Sequence, residues 1–249
     1  YDFSQAPAFP TEVQEATAWF AANVAVYVVS LPSEVGRRQS ISARMSELGI
    51  QFTFLDGIDL RVQGAYAQAK QRGAIPMAFN FQRANQKGGG VAGMVGVAAA
   101  HLSALQRIAA SNGGGRPLAL VFEDDVRPED EFVVRVRRLL TAEAPCTWEV
   151  LSLKSGCPYG VCVTPHLTKV LPDVNEPADR CRHGVNYGFF GMLYKVDALD
   201  GVRQRLEGRV WDAEVPHCLD VDVALASISD EVEYYAVPFW KTPALFYVG

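Results

Sequence analysis

The sequence predicts a single α/β domain in which helices flank a central, mostly parallel sheet. Two strand-like segments, 24–31 and 50–55, enclose a helical segment with short links, and this order is typical of the start of a parallel sheet. A third segment, 118–122, is apolar without alternation, as expected of a strand buried on both faces. At 249 residues and 49% hydrophobic content, the chain can bury such a sheet.

The elements ahead of the third strand follow from local signals. Pro32 ends the first strand, and Gly49 ends the helix that follows, which Ser33 or a neighbour would cap. A stretch rich in small residues between two glycine runs predicts a long helix packed closely on the sheet. In chain order we expect a helix at 12–22, a strand at 24–31, a helix at 37–48, a strand at 50–55 and a helix at 92–110.

The second half of the chain is more irregular. The segment 154–183 is rich in Pro and Gly and has no period, which predicts a long functional loop. Arg135, Arg137 and Arg138 are expected on the solvated face of a helix. In chain order we expect a helix at 129–142, strands at 147–153 and 187–196, a helix at 197–206, a short helix or turn at 219–228, a strand at 232–237 and an aromatic tail.

Charge, hydropathy and cysteine content limit the classes of function. A formal net charge of -5 argues against a protein that binds duplex nucleic acid, because such proteins usually present a basic face. The five cysteines, which include Cys218, lack the spacing of a zinc site. Cys157 and Cys162, with Cys146 and Cys181 not far away, could form disulfides in an oxidising compartment, and the odd total leaves at least one cysteine unpaired. No apolar run has transmembrane length, and a start at Tyr1 rather than Met leaves room for a signal peptide or membrane anchor ahead of it.

Three adjacent carboxylates, Glu123, Asp124 and Asp125, follow the third strand directly. In open α/β sheets ligands bind beyond the carboxyl ends of the strands, so we expect these acids at a ligand-binding edge. A cation among them would relieve their mutual repulsion, and carboxylate oxygens suit Mg or Mn. The alternative is a solvated turn whose acids cap the helix expected from about Glu129.

Other polar residues lie at the ends of the first strands or inside the small-residue helix. Arg37 and Arg38 begin a helix directly after the first strand, which suits a nucleotide's phosphate or base, the alternative being a solvated pair. Asp56 ends the second strand, where a carboxylate accepts hydrogen bonds from ribose in dinucleotide-binding folds. His101 lies among small and apolar residues, which favours a core histidine over a site-lining one.

Three stretches together resemble glycosyltransferase family 25, the lipooligosaccharide and collagen galactosyltransferase group. They are VYVVSLPSEVGRRQSISARMSELGIQFTFLDGIDL, GMVGVAAAHLSALQRI and LALVFEDDV, and a weaker fourth is LDVDVALA. The second matches a family segment in which glycines precede a histidine, here Gly93, Gly96 and His101. The fourth places Asp222 and Leu225 at the spacing of a late family aspartate.

The resemblance implies a GT-A-like, Rossmann-type fold and a metal-dependent, inverting glycosyltransferase. The enzyme would move a sugar, with galactose as the expected one, from a UDP-sugar to a glycan or glycosylated acceptor, and nucleic acid is no expected partner. Mn or Mg would be bound by Asp125 directly and by Glu123 in a DxD-like pattern. Asp124 would point the other way, towards the sugar hydroxyls, if the strand continues.

Further roles follow from the same resemblance. For Arg37 the family match favours a contact with the nucleotide's phosphate or base over a solvated position, and Asp56 would accept hydrogen bonds from the uridine. Asp222 is the expected catalytic base and Asp220 its reserve, the alternative being that both merely cap a helix. Weaker candidates are lone residues in loops: His183 and His217 as metal or diphosphate contacts, and Trp211, Tyr187 and Trp240 as sugar-stacking rings.

Two rival functions stay open. Met94 and Ala100 replace a Glu and a Ser that the family usually carries, which suggests a non-catalytic relative that binds nucleotide or glycan. The acid cluster would also suit a metal-dependent phosphohydrolase, although such enzymes usually need more His or Asp ligands at short spacing.

We expect a lead-in with a short helix at 1–22 and a single GT-A-like domain at 23–249. Within that domain, 23–126 would form the nucleotide-binding half and 127–249 the acceptor-side half. Membrane association would need a segment outside this sequence, and the lumen of the secretory pathway is the expected compartment, with the cytoplasmic face of a membrane as the alternative.

Overall fold

The computed structural model describes residues 6–86, 92–156, 159–177, 181, 187–212, 216–239 and 245–248. Its helices are α1 (Pro10–Asn23), α2 (Val35–Glu47), α3 (Ala65–Gln71), α4 (Phe81–Gln86), α5 (Ala92–Ala110), α6 (Phe132–Ala142), α7 (Leu199–Val210) and α8 (Val221–Ser227). Its strands are β1 (Val24–Ser30), β2 (Phe52–Asp56), β3 (Leu118–Glu123), β4 (Val126–Pro128), β5 (Val150–Ser155), β6 (Gly160–Cys162), β7 (Thr168–Val170), β8 (Gly191–Lys195), β9 (Tyr234–Pro238) and β10 (Phe246–Val248).

In the described part of the chain, eight strands form one sheet in the order β2–β1–β3–β8–β5–β9–β7–β6. β1 is parallel to both of its neighbours, whereas β8 runs antiparallel to β3 and β5. β9 is parallel to β5 and β7 is antiparallel to β9 and β6, so six of these eight strands share one direction. The predicted single α/β domain with a mostly parallel sheet is confirmed.

The sheet is buried on both faces because successive strand residues alternate between two apolar clusters. Val121 of β3 packs in a cluster with α5, α7 and α8, while its neighbour Phe122 packs in a second cluster with α1, α2 and α6. The rings of Phe122 and Phe132 lie 5.6 Å apart. Burial on both sides explains why this strand has no polar alternation.

Two expectations about polar side chains near the helices are wrong. Glu34 precedes α2 and no side chain makes a capping hydrogen bond there, so the cap predicted from Ser33 or a neighbour is absent from α2. The arginines of α6 do not form a solvated face: Arg138 donates hydrogen bonds of 2.7 and 2.6 Å to the carboxylate oxygens of Glu12, which belongs to α1. α1 covers that face of α6 and supplies Glu12 as the carboxylate that pairs with Arg138.

The segment predicted as a long loop contains part of the sheet. β5 extends to Ser155, and β6 and β7 form an antiparallel hairpin at the outer edge of the sheet. In the same way β10, in the predicted aromatic tail, pairs antiparallel with β4. Strands of three residues carry no readable period, so their partners alone define them.

The cysteines pair differently from the expectation. Cys181 forms a disulfide with Cys218 rather than with a cysteine nearer in the sequence. Both residues are fully buried, and the disulfide fixes the residue two positions ahead of Asp220. Cys146 is exposed and belongs to no disulfide, and Cys157 lies outside the described residues.

The N-terminal helix packs on the domain. The rings of Phe20 in α1 and Phe132 in α6 lie 6.1 Å apart. The predicted boundary between 1–22 and 23–249 stays a prediction. None of the described helices combines the length and the apolar composition that crossing a membrane requires.

Close approach of α5 to the segment after β2 depends on one glycine. A Cβ atom at Gly96 would lie 2.5 Å from the carbonyl oxygen of Ile58, whereas a Cβ at Gly93, one turn earlier, would meet nothing within 4 Å. Gly96 therefore allows the chain after β2 to lie directly against the helix.

We expect Gly96→Ala to lower the free energy of unfolding by about 1–3 kcal/mol, because the backbone carbonyl must move to admit the methyl group. Gly93→Ala is the matched control in the same helix and should leave stability unchanged or raise it by up to about 1 kcal/mol. Urea denaturation of the two variants checks this. Equal losses in both would contradict the packing argument.

Candidate functional site

A cleft of about 340 Å³ opens at the carboxyl ends of β1 and β3 and is walled by the N-terminal half of α5. The predicted residues that line it are Arg37, His101, Glu123, Asp124 and Asp125. This edge is where open α/β sheets bind ligands. The acids after β3 are therefore part of a concave site and not of a convex outer surface.

Asp125 is the acid whose charge is least compensated. Its Oδ1 atom is buried and has no hydrogen-bond partner among the described residues. Burial raises the pKa of Asp125, and the charge of Glu123 raises it further, against a smaller opposing effect of Arg37. A carboxylate in this state is ready to bind a cation or a hydrogen-bond donor.

Asp124 lies in the same cleft as its neighbours. The prediction that it points the other way required a continuing strand, but β3 ends at Glu123 and a turn follows. Its Oδ2 atom accepts a hydrogen bond of 2.6 Å from the hydroxyl of Ser30, and Arg37 Nη1 lies 3.3 Å from Oδ1. The hydrogen bond from Arg37 to Asp124 and the charge of Asp124 raise the pKa of Arg37, whose side chain is still 55% exposed.

The two adjacent arginines have different surroundings. Arg38 donates hydrogen bonds to the carbonyl oxygen of Ser30 at 2.8 Å and to Asp56 Oδ1 at 2.7 Å, and its guanidinium lies 4.6 Å from the centre of the Phe54 ring. It joins the tips of β1 and β2. Neither Arg38 nor Asp56 lines the cleft, so their predicted contacts with the nucleotide stay predictions without support from this geometry.

His101 is both a buried residue and part of the cleft wall. Its side chain is 1% exposed, and its ring packs edge-on against Phe189 with 4.8 Å between the centroids. Its Nε2 atom lies 3.2 Å from Glu123 Oε1, while Nδ1 is buried without a partner in the described part of the chain. The contact with the buried His101 ring orients the Glu123 carboxylate.

Asp220 and Asp222 form a pair at the start of α8, outside the lining of the cleft. Asp222 accepts hydrogen bonds of 2.7 Å from the backbone N–H groups of Gly188 and Val223. Burial is the main cause that raises the pKa of Asp220, to about 7. The charge of Asp222, a hydrogen bond to Asp222 and the charge of Glu123 contribute to this rise in decreasing order. The electrostatic effect of Glu123 connects this pair to the acids of the cleft.

The cleft also contains polar residues that were not predicted as site residues. Ser30, Asp59 and Arg61 line it, and Arg61 forms a two-pronged ion pair with Asp59 at 2.8 and 2.9 Å. Each lies at or beyond the carboxyl end of a predicted strand. The edge argument that singled out the acids after β3 would have found them too.

Of the remaining candidates, the two whose side chains the structure describes do not line this cleft. Trp211 packs edge-on against Phe79 at 5.0 Å, and Tyr187 is half exposed elsewhere on the surface. His183 and Trp240 lie outside the described residues. For His217 the structure describes only the backbone, in the short helix Pro216–Leu219.

The carboxylates fit a divalent ion that is shared with a substrate. Within the described residues, no group of three or more His, Cys, Asp or Glu side chains is arranged to hold a metal by itself. Mg-type sites that bind phosphates usually contain one or two carboxylates, and the substrate and water supply the rest. The unpartnered oxygen of Asp125 suits such a ligand, whereas one oxygen of Glu123 already contacts His101.

Comparison with known proteins gives a family match and distant structural likenesses. Residues 23–159 match the family model described as Glycosyltransferase family 25 (LPS biosynthesis protein). A glycosyltransferase involved in the glycosylation of the major capsid of PBCV-1 has a TM-score of 0.39 and 10% identity over 77% of this chain and 68% of that chain. A mannose-1-phosphate geranyltransferase from Thermus thermophilus has a TM-score of 0.37 and 10% identity over 87% of this chain and 74% of that chain. No curated protein matches the chain.

The raised pKa of Asp220 gives a pH dependence of stability with a definite sign. The unfolded chain releases this proton near pH 3.8, whereas the folded protein keeps it up to about pH 7. The stabilisation from the protonated group is therefore complete below the unfolded pKa and is lost as the pH rises to about 7.

We expect Asp220→Asn, which stays neutral and can still donate towards Asp222, to melt at a higher temperature than the parent. The difference in Tm should grow from about pH 4 to about pH 7 and then stay constant, as linkage requires. Asp130→Asn, which removes an exposed carboxylate paired with Arg44, is the control and should show no such gain. A difference in Tm that does not change with pH would refute the assignment.

Proposed function

This chain belongs to glycosyltransferase family 25, whose model matches more than half of it, and we propose that it transfers galactose from UDP-galactose with inversion at the anomeric carbon. Family membership makes the chain a glycosyltransferase that takes a sugar donor and a glycan acceptor. The identity of the sugar and the nucleotide, the metal and the residues that carry the reaction are the proposal. No nucleic-acid partner is indicated.

The observation that carries the proposal is the combination of a half-exposed cation and an uncompensated anion in one cleft. Arg37 can turn from Asp124 towards a phosphate, because its side chain lines the cleft and is 55% exposed. Asp125, at the same time, offers an oxygen without a partner among the described residues. A nucleoside diphosphate with a divalent ion complements both groups.

The proposed cofactor is Mn or Mg, held by Asp125 with Glu123 or Asp124 assisting through water. When bound, the ion would offset the negative charge that develops on the departing diphosphate. Arg37 would bind the same diphosphate from the other side of the cleft. The ion pair between Arg61 and Asp59, which also lines the cleft, would contact the nucleotide.

The proposed base is the pair Asp222 and Asp220. Inversion requires that a carboxylate remove the proton of the acceptor hydroxyl as the hydroxyl attacks. Two backbone N–H groups donate hydrogen bonds to Asp222 and hold its orientation. Asp220 is hydrogen-bonded to it and, with a pKa of about 7, can share the proton that Asp222 takes up.

A non-catalytic relative is the second candidate, because Ala100 lies in the cleft wall where the family usually carries a serine. Such a protein would bind nucleotide through Arg37 and Asp125 but would not cleave the donor. Binding and turnover must therefore be measured separately.

We expect Asp125→Asn to weaken the binding of UDP in the presence of Mn by at least about tenfold, because one charge–charge contact to the ion is lost. Isothermal titration calorimetry with UDP measures the change, and the Tm shows that the fold is intact. Asp130→Asn, five residues later and outside the cleft, should bind UDP as the parent does. Unchanged affinity of Asp125→Asn in Mn would overturn the metal assignment.

We expect release of UDP from UDP-galactose in the presence of Mn, and a loss of about a hundredfold or more in Asp222→Asn with UDP affinity unchanged, as for a missing general base. Comparison with other nucleotide sugars tests the donor. Tight UDP binding without any release would favour the non-catalytic relative. Cleavage of a simple phosphodiester without a sugar would favour a phosphohydrolase.

A further inference from the structure

Three half-exposed aromatic residues each contact one of the last two residues of β5, Lys154 or Ser155. They are Tyr187, Phe239 and Tyr247, which are 50%, 54% and 55% exposed, and we call them the aromatic rim. The backbone N–H of Phe239 donates to the carbonyl oxygen of Ser155 at 3.1 Å, and the hydroxyl of Ser155 donates to the carbonyl oxygen of Tyr187 at 3.3 Å. The rim is thus attached to the last residue of the strand.

Lys154, the residue ahead of Ser155, brings a cation to the rim. Its ammonium group donates to the carbonyl oxygen of Phe246 at 3.2 Å and lies 5.9 Å from the centre of the Tyr247 ring. No carboxylate in the described part of the chain forms an ion pair with it. Burial lowers the pKa of Lys154, and no charged neighbour counters that shift among the described residues.

Through Tyr187 the aromatic rim is connected to the proposed catalytic base, and none of its three residues lines the donor cleft. Tyr187 pairs through its backbone with Gly156, and the next residue, Gly188, donates to Asp222 at 2.7 Å. In the sheet, β5 is two strands from β3, which is about 10 Å at the usual spacing of strands. The donor cleft opens on the other side of β3, against β1. An acceptor bound at the rim would therefore approach Asp222 from the side opposite the donor.

We propose that Lys154 and the aromatic rim bind an acceptor sugar that carries a negatively charged substituent, a carboxylate or a phosphate. This inference rests on the proposed function, because it names the acceptor class for the same site. Exposed aromatic rings stack on the apolar faces of sugars, and a partly buried ammonium attracts an anion more strongly than a fully solvated one does. An anionic group would supply the counter-charge that the described part of the protein does not.

A purely structural role for Lys154 would be to hold the C-terminal segment by its bond to Phe246. Lys195 serves as a matched control, since its ammonium donates to the carbonyl oxygen of Cys146 at 2.6 Å and lies 5.2 Å from the centre of the Trp148 ring. Lys195 pairs with Leu118 at the start of β3, so it lies at the opposite end of the sheet. If holding a carbonyl and a ring is all that these lysines do, replacing either one has the same kind of effect.

The test uses three methyl β-glycosides that differ at one position: the glucoside, the glucuronide and the glucoside 6-phosphate. NMR titration of the full chain with UDP and Mn gives the Kd of each. We expect the parent to bind at least one charged glycoside about fivefold more tightly than the glucoside, a preference that weakens with added NaCl. Comparing the glucuronide with the 6-phosphate separates the carboxylate from the phosphate.

Lys154→Met should remove the preference and leave the weak binding of the neutral glucoside unchanged, while Lys154→Arg and Lys195→Met should keep the preference. The proposal is overturned if the parent has no preference, if it binds neither charged glycoside, or if Lys195→Met loses the preference as well. Release of UDP from UDP-galactose in the same samples tests the transferase separately. Release without charged-glycoside binding refutes only the acceptor inference, and charged-glycoside binding without release refutes only the transferase proposal.

Discussion

The concentration of negative charge at the end of β3 is the constraint on which the rest of the site depends. The strand is buried on both faces, so its chain first meets solvent where three carboxylates follow one another. Their neighbours compensate this charge unequally: His101 contacts Glu123, Arg37 binds Asp124, and one oxygen of Asp125 has no partner within the described residues. The unequal compensation gives each acid a different chemistry although the three are adjacent.

The acids of the site divide into two groups that meet at Glu123. Asp124 and Asp125 face the cleft with Arg37, where a diphosphate and its cation are proposed to bind. Asp220 and Asp222, at the start of α8, lie outside the lining of this cleft. The charge of Glu123 contributes to the raised pKa of Asp220. The proposed donor side and the proposed acceptor side thus share one carboxylate, and through it a late segment of the chain would act on chemistry at the third strand.

Sequence alone predicted the parts of this fold and site that depend on local signals. The buried β3, the long α5 and the acids at the strand end each carry a pattern within a few residues. The three-residue strands could not be predicted, because only their remote partners define them. The difference between Arg37 and Arg38 could not be predicted either, because both have the same helix-start signal. Only the folded structure shows that Arg38 binds Asp56 at the end of β2, whereas Arg37 lines the cleft.

The raised pKa values of Asp125 and Asp220 have the same main cause, burial, and they have a cost. A carboxyl group that must be buried with its charge destabilises the folded protein at neutral pH relative to an uncharged residue of the same shape. Carboxyl groups with pKa values raised by burial are typical of sites where a ligand supplies the missing charge. A cation at Asp125 would do so for the donor side, and it would lower the repulsion that Glu123 and Asp124 feel from the same carboxylate.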